Sequence, residues 1–342
     1  MDIKSFSWKK IAIILLVGIG IWLLIPKIVG LKETFEILKT INIWALILVI
    51  VAEAFSYFGS TILNLTMLRM VRERLSPKDV LKISLMDSFA LQFLPISTFG
   101  AAAVEYYFYR LKQIRTAHII LMFIARTIIV WLVFGLIFLV GAAFAPTNSK
   151  LYSQESIIIW LTYFFALAVF SFLIYLYCHQ KLLIKFLATL GRFYQWLARI
   201  FHLPNIQNHN VIDLAPKIYQ ATKILAQNRK YQLSAVFGAL FYWFGDIFCL
   251  YFAFLGLGWP PHIAIVIFTY AAAKILSQIS FIPGGLGVSE ATLSLIFIGF
   301  GVPASTALAA VLIFRLISFW LPIPVGLGSF LSLQKNYIKM KV

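Results

Sequence analysis

Charged side chains stand inside several of the most apolar stretches of this sequence. They are Glu53, Arg126, Asp246, Glu290 and Arg315. An ionised side chain at the centre of a bilayer costs about 2.5–3.5 kcal/mol, so such groups face a partner or a wet cavity rather than lipid. One interpretation is a binding site for a charged substrate. The other is mutual pairing that only holds helices together.

The glycine-rich segment 283–290 is the most informative stretch for binding chemistry. Its candidate substrate-binding residues are Pro283, Gly284, Gly285, Gly287, Ser289 and Glu290. A helix that begins directly after these glycines leaves its first amide groups without intrahelical partners and carries partial positive charge at that end. Glycines also let a phosphate approach the backbone closely. Arg315 and Arg126 would add forked hydrogen bonds. The alternative is a helix kink with glycines packed against a neighbour.

Other reactive residue types form no recognisable site. The five histidines lack the HExxH spacing, and no GxxxxGK[ST] phosphate loop is present, so we expect no metal, no cofactor and no built-in ATPase. Glu105 is expected near a membrane interface, where an ordinary solvated charge is as plausible as a functional one. Cys178 and Cys249 suggest small apolar core residues rather than a disulfide.

Composition places these residues in a membrane protein. Hydrophobic residues make up 62% of the 342 residues and charged residues only 12%, whereas soluble domains are about half apolar and about a quarter charged. The net charge of +17 comes from basic residues that mostly flank apolar runs. Loops rich in Lys and Arg stay on the cytoplasmic side of membrane proteins, which explains this pattern. Attraction to anionic lipid head groups is a second explanation. Nucleic acid is not an expected partner.

Runs of about 20 apolar residues predict six full transmembrane helices. They cover residues 11–30, 43–68, 117–145, 157–179, 231–257 and 303–331. The first run is followed by Pro26 and Lys27 rather than by a small-residue cleavage site, so we interpret it as a retained helix.

Two further apolar stretches, 83–109 and 262–301, are each broken near the middle by Pro and Gly. Each half is too short to cross a bilayer, which predicts two re-entrant helical hairpins. Broken backbone at that depth is tolerated only where it is buried in protein or lines a wet cavity.

Loop charges predict the orientation. The N-terminus, the loop 71–79, the loop 180–230 and the C-terminal tail are basic and should be cytoplasmic, while 146–156 should lie outside. The two hairpins then enter from opposite sides of a bacterial or archaeal cytoplasmic membrane. Residues 181–203 fit either an amphipathic surface helix or a plain connecting helix.

An internal repeat relates the two halves. Segments FIARTIIVWL (123–132) and LIFRLISFWL (312–321) both place Arg five residues before Trp, and each follows a broken hairpin. The first helices of the hairpins also carry one charge each, Asp87 and Lys274. We therefore predict an all-α polytopic fold with an inverted repeat, a transporter architecture whose substrate site lies near the midplane between repeats.

The predicted organisation is a single membrane domain, 1–342. It divides into an N-terminal helix and connector (1–42), repeat 1 (43–145), a connecting helix and cytoplasmic loop (146–230), inverted repeat 2 (231–331) and a basic tail (332–342).

The segment FIPGGLGVSEATL, followed by FRLISFWLPIPVG, resembles the membrane region of lysylphosphatidylglycerol synthases and related flippase-like proteins. The first hairpin, FLPISTFGAAAVEYYFYRLK, is similar to that family's first-half motif. The resemblance implies lipid translocation and, by motif, roles for Pro283, Gly284, Gly285, Gly287, Glu290 and Arg315. In the synthases a separate soluble domain transfers the aminoacyl group, and none is recognised here up to Val342, so that activity is not expected.

The favoured hypothesis is a flippase or scramblase for an anionic phospholipid or a polyprenyl-linked lipid. The expected partners are membrane lipids, with a homo-oligomer left open. One alternative is a membrane-embedded transferase acting on a lipid head group, although the longest loop, 180–230, has only Asp213 as an acid. The other is an ion-coupled small-solute transporter, in which Glu53 and Asp246 would serve protons. We do not expect an enzyme.

Overall fold

The computed structural model describes residues 36–93, 97–144, 228–280 and 282–341, with isolated positions between 164 and 223. Every element in these four ranges is helical. The predicted span 11–30 lies outside the described residues, and the predictions for 157–179, 181–203 and the 146–156 loop fall wholly or largely outside them.

Each half of the molecule has the same order of elements: a long helix, two short helices and a second long helical stretch. The first half contains α1 (Ile43–Met70), α2 (Pro77–Phe93), α3 (Ser97–Leu111) and α4 (Thr116–Phe144). The second half contains α5 (Arg229–Gly256), α6 (Ile263–Ile279), a 3₁₀ turn (Pro283–Gly285), α7 (Val288–Gly299), α8 (Ala304–Arg315), a π-helical segment (Leu316–Trp320) and α9 (Pro322–Lys341).

Four helical stretches among the described residues are long and apolar enough to cross a membrane. They are Ile43–Met70, Thr116–Phe144, Arg229–Gly256 and Ala304–Lys335. These match the predicted spans at 43–68, 117–145, 231–257 and 303–331. Large apolar side chains such as Trp44 and Phe144 are 73% and 70% exposed, which is typical of helices whose outer face meets lipid rather than water.

The long helices that open the two halves begin alike and cross closely. Asn42 caps α1 by accepting from the Trp44 amide at 2.9 Å, and Asn228 caps α5 by accepting from the Lys230 amide at 3.1 Å. Glycine is needed at the crossing, because a Cβ at Gly59 would collide with the backbone at Tyr242 and lie 2.6 Å from the Gly238 carbonyl.

Contacts along this crossing establish that α1 and α5 run antiparallel. The Asn42 amide donates to the Gly256 carbonyl at 2.9 Å. Further along α1, Ser56 Oγ lies 2.9 Å from the Tyr242 carbonyl oxygen, and Thr66 Oγ1 lies 2.8 Å from Ser234 Oγ. Residue numbers rise in α1 as they fall in α5, as an inverted repeat requires.

The short helices of each half fold back on one another. Lys112, just after α3, pairs with Asp79, near the start of α2, at 2.9 Å. In the second half the ring of Phe268, early in α6, meets that of Phe300, just after α7, at a centroid distance of 6.2 Å. Both pairs are therefore helical hairpins whose two open ends lie together.

Each hairpin packs against the last helix of the other half. Lys82 of α2 donates to Ser332 Oγ of α9 at 2.8 Å. In the equivalent place, Phe138 of α4 stacks on Phe268 of α6 with ring centroids 5.8 Å apart. The two halves are interlocked rather than juxtaposed, which places the groups of both halves around one interior.

The π-helical segment ends two residues before Pro322. The Leu321 amide bonds the carbonyl five residues earlier, Leu316, at 2.9 Å. Pro322 has no amide to donate to the carbonyl four residues earlier, Ser318. The Ser318 carbonyl accepts from Gln92 Nε2 of α2 at 3.0 Å. A side chain of the first half thus supplies a hydrogen bond to a backbone carbonyl of the second half, three residues after Arg315.

Candidate functional site

A cavity of about 320 Å³ lies between the two halves. Seven of the predicted substrate-binding residues line it: Glu53, Arg126, Asp246, Gly284, Gly285, Ser289 and Arg315. Two others, Gly287 and Glu290, are not among the described residues that line it. The side chain of Pro283 lies outside what the structure describes. The structure therefore brings together residues from both repeats that are up to 262 positions apart in the chain.

Arg126, on α4, lines the cavity and is bound by the carboxylate of Glu105. Its Nη1 and Nη2 donate to Glu105 Oε1 and Oε2, both at 2.8 Å, and Nη1 also donates to Asn64 Oδ1 at 3.0 Å. Glu105 is wholly buried and the Arg126 side chain is 20% exposed. Of the two alternatives for Glu105, the ordinary solvated charge is wrong, because α4 covers this face of α3 and supplies the counter-charge.

Arg315, at the end of α8, is held in the same manner. Its Nε donates to Glu290 Oε1 at 2.6 Å and its Nη2 donates to the Gly284 carbonyl at 3.0 Å. The guanidinium also lies over the Phe319 ring, 4.2 Å from its centroid. The side chain is 8% exposed and Glu290 is wholly buried.

The two arginines occupy equivalent positions in the inverted repeat. Each stands on the long helix after a hairpin and binds a glutamate from the second helix of that hairpin. The pairing that the sequence left as an alternative is present, and both arginines also line the cavity. Each glutamate holds its arginine in position and largely out of water. The arginine can therefore bind an anion without a change of conformation.

The glycine turn before α7 requires backbone that other residues rarely adopt. Gly284, Gly285 and Gly287 have φ values of +59°, +63° and +80°. A Cβ at Gly285 would lie 2.6 Å from the Ser277 Cβ, and one at Gly284 would collide with the Phe319 ring. These glycines are thus needed for the turn and for packing, as in the alternative interpretation of this segment.

The start of α7 is not wholly open to a ligand. The Gly287 amide donates to Glu290 Oε2 at 2.7 Å, because a glutamate three residues into a helix can reach back to the amide before it. For this amide the expectation of a free donor is wrong. Glu290 therefore joins the helix start to Arg315, while Gly284, Gly285 and Ser289 supply the cavity wall.

A third charged group joins the two halves at the α1–α5 crossing. Asp246 accepts from Ser56 Oγ at 2.8 Å and from the Tyr270 hydroxyl at 2.5 Å. Lys274 Nζ lies 3.8 Å from the same carboxylate. Its ammonium group also lies 5.7 Å from the centroids of the Trp243 and Tyr270 rings, within cation–π distance.

Sequence reasoning did not assign several lining residues to the site. Asp87 and Lys274 carried a signal, since each is the single charge in the first half of its apolar stretch, 83–109 or 262–301. The aromatic and amide members carried none: Tyr57, Gln92, Tyr242, Trp243 and Tyr270. Aromatic residues are common throughout this chain, so only the fold identifies those that face the interior.

Comparison with known proteins identifies a family of membrane proteins. A family model described as the lysylphosphatidylglycerol synthase TM region matches residues 10–326. A UPF0104 membrane protein of Methanocaldococcus jannaschii is 24% identical over 269 residues, 77% of either chain.

Two further UPF0104 membrane proteins match over shorter regions. One, of Pyrococcus horikoshii, is 34% identical over 102 residues, 30% of either chain. Another, of Methanothermobacter thermautotrophicus, is 26% identical over 141 residues, 40% of this chain and 42% of the relative. These two alignments span less than half of the relatives they match.

Proposed function

This chain belongs to the lysylphosphatidylglycerol synthase TM-region family, and on that premise we propose that it moves a lipid with an anionic head group across the membrane. It acts as a flippase or scramblase. The head group passes through the cavity between the two halves while the acyl or prenyl tails stay in the bilayer. No chemical bond of the lipid is made or broken.

The observation that carries this proposal is the meeting of Arg126 and Arg315 at one cavity. One arginine comes from each inverted half, and each is held by its own buried glutamate. A phosphate between them gains two charge-assisted contacts, each worth about 1.5–3 kcal/mol. Contacts from both halves suit a carrier, because small movements of one half against the other then change access to a fixed site.

The membrane arrangement we propose is six spans with two re-entrant hairpins and both termini in the cytoplasm. The 12-residue α7 rises about 18 Å, against about 30 Å of hydrocarbon. The Asp79–Lys112 pair brings both ends of the first hairpin to one place. Entry and exit on the same side explain why both flanks of this hairpin are basic. A cytoplasmic membrane is the proposed location.

A lipid suits the site better than a free solute for two reasons. The family's own description concerns a protein that makes a phospholipid, and the long helices expose broad apolar faces that the tails of a lipid would follow. The mixed charges at Asp246 and Lys274 favour one other function, transport of a small charged solute coupled to an ion.

Reconstitution of the purified chain into liposomes tests the proposal. Fluorescent phosphatidylglycerol in the inner leaflet should become accessible to an external quencher faster than in protein-free vesicles, and faster than phosphatidylcholine. Equal rates with and without protein would refute lipid movement. A parallel assay of vesicles loaded with a charged solute detects the alternative, since only a solute transporter would release it.

A further inference from the structure

Glu53 is an acid at the cavity whose hydrogen bonding is incomplete. It is 6% exposed, and its Oε2 is buried without a hydrogen-bond partner. Among the described residues it forms no ion pair, although Asp246 and Lys274 are its charged neighbours and Tyr57 and Cys249 lie beside it. An ionised carboxylate in this state is costly, because burial removes water and no donor takes the place of water at Oε2.

The cations of the cavity are already balanced in charge. Among the described lining residues, three cations each have a carboxylate: Arg126 has Glu105, Arg315 has Glu290 and Lys274 has Asp246. Two lining acids, Glu53 and Asp87, remain outside these pairs. If both were ionised, an entering phosphate would meet an excess of negative charge. Glu53 is the more buried of the two and carries the unpartnered oxygen.

We propose that Glu53 is a proton-binding site and that its proton enters the cavity together with the anionic head group. This inference rests on the proposed lipid transport for its second part, whereas proton binding by Glu53 stands without it. The ligand is a proton taken from water. On release, the O–H bond of the carboxyl breaks and the proton returns to water on the side to which the cavity is open.

The coupling follows from proximity. A neutral Glu53 removes one negative charge from the cavity wall, so the head group binds more tightly to the protonated form. By linkage, a bound head group favours protonation to the same extent. Lowering the pH should therefore strengthen binding of an anionic lipid until Glu53 is fully protonated. The pair also crosses the apolar interior with less net charge than the lipid alone.

Other titratable groups face Glu53 from the helices packed around it. Asp246, Tyr242 and Cys249 come from α5, and Lys274 and Tyr270 from α6. Asp87 on α2 and Arg126 on α4 line the same cavity. Asp87 is the principal competitor as a titrating group, because it too lacks an ion pair among the described residues. The experiment must distinguish these two acids.

Infrared difference spectroscopy tests proton binding without any lipid movement. Spectra of the purified protein at low minus high pH should contain the carbonyl band of a protonated carboxylic acid that is absent in Glu53→Gln. The matched controls are Asp87→Asn and the surface variant Glu36→Gln, whose side chain is 63% exposed. A spectrum of Glu53→Gln identical to that of the parent, or a band lost only in Asp87→Asn, overturns the assignment.

A pH gradient across proteoliposomes tests coupling. Fluorescent phosphatidylglycerol should accumulate in the leaflet on the alkaline side, toward which protons flow. For one proton per lipid, the ratio of lipid between the leaflets should change by at most about tenfold per pH unit. At whatever rate Glu53→Gln moves lipid, the final distribution of the lipid should not follow the gradient. A parent that moves lipid but ignores the gradient, or a Glu53→Gln variant that responds like the parent, overturns coupling alone. A parent that moves no lipid refutes the proposed function, and the infrared result then decides proton binding by itself.

Discussion

Arg315 donates from Nε to Glu290 Oε1 at 2.6 Å, in a site where Glu290 is wholly buried. The same carboxylate accepts from the Gly287 amide at 2.7 Å. One buried acid therefore orients the cavity arginine and also fixes the start of α7. Removing either partner alone leaves a buried charge without its counter-charge.

The first prediction concerns this pair. Arg315→Met should destabilise the protein by about 3–5 kcal/mol, because it leaves Glu290 as an unpaired buried charge. Adding Glu290→Gln should restore part of that loss, since glutamine is neutral and still accepts from the Gly287 amide. Unfolding of the purified variants in detergent measures both effects. If the double variant is less stable than Arg315→Met by the full cost of Glu290→Gln alone, the two residues are not coupled as we infer.

The second prediction concerns the glycine turn. Gly285→Ala should cost about 2–4 kcal/mol, since it combines a left-handed backbone with a Cβ 2.6 Å from the Ser277 Cβ. Gly299→Ala is the matched control, because a Cβ there meets nothing within 4 Å. Thermal unfolding should separate the two variants clearly. Equal stability would mean that the turn does not have the described conformation.

The third prediction concerns the α1–α5 crossing. Gly59→Ala should lower stability by about 1–3 kcal/mol, because its Cβ would push against the backbone of α5. Gly328→Ala, at an open helical position, should be neutral or slightly stabilising, as alanine favours helices. A Gly59→Ala protein as stable as the parent would contradict the close antiparallel contact between the halves.

The fold was largely accessible from sequence because its signals are local. Apolar runs long enough to span a bilayer predict α1, α4, α5 and the α8–α9 stretch, and proline with glycine marks the break before α7. The inverted repeat also followed from local motifs at Arg126 and Arg315.

The site was less accessible because its contacts are distant in sequence. Loss of an amide at Pro322 is evident from the sequence, but its consequence is a bond between Gln92 and Ser318, 226 residues apart. The burial of Glu105 likewise depends on α4 covering α3. Charges at Asp87 and Lys274 were visible, whereas their place at the cavity depended on how the halves interlock.

The fourth prediction concerns orientation. In a background without Cys178 and Cys249, single cysteines at Arg74 and Asn208 should resist a membrane-impermeant thiol reagent added to intact cells. A cysteine at Asn148 should react, because the loop charges predict that 146–156 lies outside. Expression of each variant is checked by labelling after the membrane is permeabilised. Labelling of Asn208→Cys from outside would contradict the proposed topology.

The most direct test of the central claim is the rate at which Arg315→Lys moves fluorescent phosphatidylglycerol in proteoliposomes. Lysine keeps the charge but cannot reproduce the fork that bonds Glu290 and Gly284 while facing the cavity. Losing one charge-assisted contact of about 1.5–3 kcal/mol should slow movement by about tenfold or more. Arg126→Lys should behave alike, and Arg69→Lys, at an exposed position, should keep the parental rate. If folded Arg315→Lys and Arg126→Lys proteins both move the lipid at the parental rate, the arginines only hold the helices together and the cavity is not the route of the head group.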